Sequence, residues 1–240
     1  MKYSHLFFDL DNTLWDFNAN SYVALRDALK NMELLDKVGD YDSFFSIYQE
    51  VNDRLWALYR ENKMTKNVLR GLRFEETLEL NHTPMPGIGD AMNEVYLTEM
   101  PKQLKLVPGA RVVLDYLHHK YRMAIITNGF REVQVDKLSQ SGLQKYFDKL
   151  FISEDVGAQK PHKLIFEHAI KSMNAPKRKS LMIGDSWEAD IVGAMQFGMD
   201  QVYYCPEPGK MPPSGETLQN ESRKTSTTVI THLEQLLEIL

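Results

Sequence analysis

The 240-residue sequence predicts an α/β protein in which a parallel sheet carries helices on both faces and an all-helical segment interrupts the chain early. Three observations carry that prediction. Apolar runs of strand length occur once near the start and repeatedly in the second half of the chain. Helix-period stretches lie between them, so strand and helix alternate. The segment 17–100 differs, with helical periodicity and no clear strand.

The first apolar run, residues 5–10, ends at carboxylates. Similar runs follow at 123–127, 149–152, 180–183 and 201–204, separated by helix-period stretches near 110–120, 132–141, 161–173 and 188–197. Asn128-Gly129, Ser141-Gly142, Lys160-Pro161 and Gly198 supply the turns between them. Four helical segments fill the insertion, marked by Val23, Leu25, Ala28 and Leu29, then by Phe44, Phe45, Ile47, Tyr48, Val51, Leu55 and Leu58. Thr83-Pro84-Met85-Pro86-Gly87 parts the last two, and Pro101 and Pro108-Gly109 bracket the return to the α/β pattern. The expected domains are an α/β core of residues 1–16 and 101–240 and a helical domain of residues 17–100. Residues 206–228, rich in Pro, Ser, Thr and Gly, read as a long surface loop before a final short strand and helix.

With 43% hydrophobic and 25% charged residues, the chain can bury a sizeable core. A net charge of −5, from 28 basic and 33 acidic residues, does not suggest a nucleic acid polymer as partner, since that would want a basic face. One local group of cations still suffices to hold a small anion. Cys205 is the single cysteine, so no intrachain disulfide forms and a reducing compartment is expected. It reads as a small apolar residue near a strand end. No window approaches the roughly 20 apolar residues of a membrane span. The N-terminal apolar run is broken by Asp9 and Asp11, unlike a signal peptide. A cytoplasmic location away from membranes is expected; the oligomeric state is not legible.

In open parallel sheets, ligands bind at the C-terminal strand ends. The first strand ends in Asp9-Leu10-Asp11-Asn12-Thr13-Leu14, where residues two apart can face one site. Repulsion between Asp9 and Asp11 there is relieved by a divalent cation. Thr127-Asn128-Gly129 supplies a hydroxyl, an amide and a turn. Lys160 precedes Pro161, a residue suited to the first position of a helix, and helix N-termini hold phosphate. Gly184-Asp185-Ser186 ends a further strand, with Asp190 five residues beyond Asp185. Each piece alone reads as a turn, a cap or a solvated loop. Their joint placement at strand ends, along one sheet edge, points to a single catalytic site.

Together, Asp9-Leu-Asp-Asn-Thr-Leu, Thr127-Asn-Gly, Lys160-Pro and Gly184-Asp-Ser with Asp190 resemble the four motifs of the haloacid-dehalogenase-like (HAD) hydrolase superfamily, over nearly the whole chain. The resemblance implies a Rossmann-like parallel sheet core with an inserted all-helical cap domain of the C1 type. It further implies a magnesium-dependent phosphatase in which Asp9 is the nucleophile and Asp11 the acid and base. Asp9, the Asp11 backbone carbonyl and Asp185 would hold Mg2+, an oxygen-seeking cation. Thr127, Asn128 and Lys160 would bind the phosphoryl group, and Asp190 would orient Lys160 or a metal-bound water. The presence of Asp11 favours phosphoryl transfer over dehalogenation; phosphomutase chemistry would use the same core.

The cap implied by the resemblance would close over the site and favour a small phosphorylated metabolite. The stretches Thr127-Asn-Gly-Phe-Arg-Glu-Val-Gln, Tyr146-Phe-Asp and Phe151-Ile-Ser-Glu-Asp-Val-Gly are similar to the pyrimidine 5′-nucleotidase branch, which implies a (deoxy)pyrimidine nucleoside monophosphate as substrate. The alternatives are a broad sugar-phosphate or phosphoglycolate phosphatase and a non-catalytic binding protein. Trp15 and Phe17 are candidates to stack on a base. Trp56 and Tyr59, spaced among Leu55 and Leu58, read as core; Arg70 and Arg73 read as a solvated helix face, and Lys63 as a possible anion contact.

Overall fold

Six strands form one all-parallel sheet in the computed structural model, which describes residues 2–207 and 225–240. They are β1 (His5–Phe8), β2 (Arg122–Thr127), β3 (Lys149–Ile152), β4 (Ser180–Gly184), β5 (Asp200–Tyr204) and β6 (Thr227–Ile230), in the order β3-β2-β1-β4-β5-β6. Every residue of β1 and β4 is buried, which explains their unbroken apolar character: helices cover both faces of a parallel sheet. Phe8 pairs with Ile125 on one side and Ile183 on the other. The strand order turns back at the β1/β4 junction, where ligand crevices open in doubly wound sheets. Most of the predicted 206–228 loop lies outside the described residues, and β6 takes up its last two positions.

The chain divides into two compact units, Met1–Phe17 with Lys105–Leu240, and Asn18–Leu104. In the first, the helices are α5 (Ala110–Leu117), α6 (Arg131–Gln140), α7 (Ser153–Val156), α8 (Lys163–Ser172), α9 (Gly193–Phe197) and α10 (Leu236–Ile239). On one face of the sheet, Phe7, Ile126, Phe151 and Met182 pack against Ile165, Phe166 and Ala169 of α8. The sequence placed Pro161 at the start of that helix, but it begins at Lys163. His162 takes the N-cap, its Nδ1 accepting from the Leu164 N–H at 3.3 Å, so Lys160 and Pro161 stay in the preceding loop. The expected helix over 188–197 opens as a π-turn, Trp187–Val192, before α9.

The second unit holds α1 (Phe17–Asn31, entered at the junction), α2 (Tyr41–Arg60), α3 (Lys66–Leu80) and α4 (Gly89–Glu99). Asp40 caps α2 through the Ser43 N–H, and Thr65 caps α3 through the Val68 N–H. Tyr48, Phe74 and Tyr96 pack as an aromatic cluster with ring centroids 5.5 to 6.0 Å apart. Arg73 corrects the solvated-face reading: it is 3% exposed, donates to Asn52 and Asn93, and lies against the rings of Phe74 and Tyr96. Amide oxygens take up the two terminal nitrogens of this buried guanidinium and aromatic faces flank it in place of a carboxylate, while its Nε has no hydrogen-bond partner among the described residues. Trp56 and Tyr59 pair edge-to-face and are half-buried, not core. No helix among the described residues is long and apolar enough to cross a membrane.

Candidate active site

The turn after β1 is built to gather side chains. Asp9 continues the ladder, its N–H donating to the Ile183 carbonyl at 2.9 Å. Asn12 then takes a left-handed conformation (φ 59°), which its short polar side chain tolerates. The N–H groups of Leu14 and Trp15 both return to the Leu10 carbonyl at 2.9 Å, closing the loop. Thr13 is thereby turned inward. Its Oγ1 lies 3.3 Å from Asp9 Oδ2 and 3.1 Å from Asp185 Oδ1, and accepts from the Asp185 N–H at 3.1 Å.

Lys160 reaches the same place from the loop between α7 and α8, not from a strand end as its motif suggested. The Asn128 side chain fixes that loop: its Oδ1 accepts from the Lys160 N–H at 2.8 Å, and its Nδ2 donates to the Lys160 carbonyl at 2.9 Å. The Lys160 ammonium donates to Asp9 Oδ1 and Asp190 Oδ1, each at 2.6 Å, behind a side-chain exposure of 2%. Asp190 Oδ2 accepts from the Ser186 N–H at 3.0 Å. Residue 184 must be glycine here, because a Cβ would stand 2.2 Å from Asp190 Oδ2. At the end of β2, Thr127 Oγ1 accepts from the Gly129 N–H at 3.1 Å and from Gln134 Nε2 at 2.6 Å. With both lone pairs used, its hydroxyl hydrogen is the group left to donate.

The structure therefore brings Asp9, Asp185, Asp190, Lys160 and Thr13 together at the β1/β4 junction, with Thr127 at the end of the neighbouring β2 and joined to Asp11 through Gln134. Asp11 sits beside them, but its carboxylate turns toward α6. Lys137 Nζ is 2.5 Å from Asp11 Oδ1, and Gln134 Nε2 donates to Asp11 Oδ2 at 3.0 Å. Sequence reasoning missed both α6 residues, although Gln134 falls inside the longer stretch that carries the family resemblance. Trp15 is buried, with the Lys137 ammonium 4.2 Å from its ring centroid. That covers the face a base would need and corrects its reading as a stacking residue.

Charge in the cluster is unbalanced. Burial raises the Asp9 carboxyl to about 7, Lys160 opposing and Asp190 adding to the rise. Burial and the charges of Asp9 and Asp190 likewise lift Asp185 well above the ordinary carboxylate range. Burial works against the Lys160 ammonium, but Asp190 and Asp9 outweigh it and hold it above its usual value. Oxygens of Asp9, Asp185 and Asp190 lie within 4.8 Å of one another, and three carboxylates face one ammonium. Asp190 is fully buried, with its oxygens taken by Lys160 and Ser186, whereas Asp9 and Asp185 keep some exposure, which makes them the pair best able to take a cation. An all-oxygen donor set with excess negative charge fits a hard divalent ion such as Mg2+.

A doubly wound sheet that gathers buried carboxylates and one lysine at its junction has the makings of a site for a small anion and a cation. Residues 3–198 match the haloacid dehalogenase-like hydrolase family, to which this chain belongs, as a phosphatase acting on phosphoric monoesters. The pyrimidine 5′-nucleotidase YjjG of Escherichia coli is 35% identical over 83% of this chain and 84% of its own length. The pyrimidine 5′-nucleotidase PynA of Streptococcus pneumoniae is 33% identical over 100% and 96%. A glyceraldehyde 3-phosphate phosphatase of Pyrococcus furiosus is 31% identical over 98% and 92%. Among solved structures, the HAD-hydrolase YfnB of Bacillus subtilis bound to magnesium superposes with a TM-score of 0.86 at 28% identity, covering 100% of this chain and 99% of that one.

Proposed function

We propose that the protein is a Mg2+-dependent 5′-nucleotidase that dephosphorylates (deoxy)pyrimidine nucleoside monophosphates through an aspartyl-phosphate on Asp9. The observation that carries the chemistry is the Asp9 carboxylate, 8% exposed at the sheet junction and anchored by Lys160 at 2.6 Å. The nucleotide assignment is supported by YjjG and PynA, which bear that activity in their names.

Asp9 attacks phosphorus while the bond to the leaving oxygen breaks, and Asp11 gives that oxygen its proton. Asp11 then takes a proton from water, which attacks the phosphorus of the intermediate; inorganic phosphate leaves and Asp9 is regenerated. Lys160 and the Thr127 hydroxyl neutralise and orient the phosphoryl oxygens, the terms that dominate phosphoryl transfer. The Asn128 side chain, committed to the Lys160 backbone, acts by holding that lysine in place. Mg2+ held by the Asp9 and Asp185 carboxylates and the Asp11 backbone carbonyl would neutralise charge on the phosphoryl group. Asp190 keeps the Lys160 ammonium aimed at Asp9. The helical unit would serve as a cap, and the single Cys205 suits a reducing, cytoplasmic setting.

A second reading, a sugar-phosphate phosphatase on the same site, is favoured by the Pyrococcus furiosus relative. Phosphate release from nucleoside monophosphates and sugar phosphates, with Mg2+ and with chelator, separates the two. Mg2+-dependent release strongest on pyrimidine nucleotides is the expected outcome. Release strongest on sugar phosphates overturns the nucleotidase assignment and keeps the chemistry.

A further inference from the structure

Two α6 side chains close on Asp11 in a way that a structural ion pair does not require. Gln134 is fully buried and Lys137 is 2% exposed; three residues apart, they share one face of the helix. Each takes one oxygen of the same carboxylate: Lys137 Nζ is 2.5 Å from Oδ1, and Gln134 Nε2 is 3.0 Å from Oδ2. A single tether leaves a carboxylate free to turn about its last torsion, whereas two hold its plane. The same Gln134 nitrogen donates to Thr127 Oγ1, tying Asp11 to the end of β2. Gln134 Oε1 has no hydrogen-bond partner among the described residues, a cost that buried amides normally avoid. The backbone makes room for this side chain, since a Cβ on residue 129 would stand 2.4 Å from Gln134 Cδ. Lys137 is also held between Trp15 and Phe17, with its ammonium 4.2 and 5.3 Å from their ring centroids.

We infer that Lys137 and Gln134 are positioning residues for Asp11, fixing the plane and place of the carboxylate that passes protons. The inference rests on the assignment of Asp11 as acid and base. It makes a demand that a packing role does not. Only leaving groups that need a proton should suffer when the grip is loosened. A nitrophenolate departs unaided, whereas the alkoxide of a nucleotide or sugar phosphate does not.

The test compares kcat/KM for p-nitrophenyl phosphate with kcat/KM for an alkyl phosphate that the wild type turns over, in Lys137→Met, Gln134→Met, Lys137→Arg and Asp11→Asn, all with saturating Mg2+. These constants report steps through transfer to Asp9. Lys137→Met and Gln134→Met should lower the alkyl value by roughly 100-fold and the nitrophenyl value by about twofold or less, with Lys137→Arg recovering most of the loss. Equal losses on both substrates, or no loss on either, overturn the inference while Asp11→Asn still shows the selective loss. Should Asp11→Asn itself lack selectivity, the acid assignment falls instead. If Lys137→Met does not fold, Gln134→Met and Lys137→Arg decide: a non-selective Gln134→Met, or a Lys137→Arg that loses alkyl turnover as Asp11→Asn does, overturns the proposal.

Discussion

Replacing Lys160 by methionine keeps most of the side-chain length and removes the charge. In the native protein this ammonium is 2.6 Å from both Asp9 and Asp190, behind 2% exposure, and among the described residues it is the one cation paired within the three-carboxylate cluster. Breaking a buried pair by deleting one partner costs about 3–5 kcal/mol, because an uncompensated charge is left inside. Two partners are orphaned here, which pushes toward the upper figure; proton uptake by the carboxylates pulls back toward the lower one. For a chain of this size each kcal/mol moves Tm by about 2–4 °C, so the transition of the α/β unit should fall by about 6–20 °C. The assay is thermal unfolding in chelator at pH 7.5 and again at pH 5.5. The loss should shrink at the lower pH, where protonated carboxylates no longer need the ammonium. Adding Mg2+ should restore part of it by supplying charge to the same oxygens. A Tm within about 2 °C of wild type at pH 7.5 would refute the reasoning, as would a deficit that grows on acidification.

Asp9→Asn should reduce phosphate release at least about 10⁴-fold with the far-UV circular dichroism unchanged, and readily measured turnover would contradict a nucleophilic Asp9. In the metal-free protein, Asp9 with its carboxyl near 7 and Asp185, also raised, bind protons that the unfolded chain releases at lower pH. Stability should therefore rise as pH falls from 7.5 toward 5 in chelator, and Mg2+ should flatten that slope; a slope of opposite sign in chelator refutes the charge imbalance. Gly184→Ala places a methyl 2.2 Å from Asp190 Oδ2, so it should cost about 1–3 kcal/mol in chemical denaturation and lower kcat through Lys160; wild-type stability and rate would show that Asp190 can move aside.

Most of the sheet was legible because strands covered on both faces are continuous apolar runs, as in His5–Phe8 and Ser180–Gly184. The residues at the β1/β4 junction were legible for a related reason: charged side chains directly after such runs have few places to go but the crevice. Gln134 and Lys137 were not. They lie on a mostly polar helix, and their partner Asp11 is 126 residues away from Lys137 in sequence, so only the packing of α6 on the turn after β1 brings them together. Arg73 misled for a similar reason, since its partners Asn52, Asn93 and Tyr96 come from two other helices, α2 and α4. The start of α8 was misplaced because Pro161 favours a helix N-terminus in general, while the His162 imidazole supplied the cap in particular.

The strand order has a consequence for biosynthesis. β1 sits at the centre of the sheet, yet both of its partners are encoded far downstream; 172 residues separate Thr13 from Asp185 across the β1/β4 junction. At a translation rate of about 5–20 residues per second, the HLFF strand waits on the order of 10 s after its own synthesis before β4 exists to flank it. Meanwhile the ribosome delivers the segment Asn18–Leu104, whose neighbouring helices α2, α3 and α4 contact one another in chain order and can assemble at once. A nascent chain halted before residue 180 would thus carry a finished helical unit and a sticky, half-flanked strand, a natural client for holding chaperones.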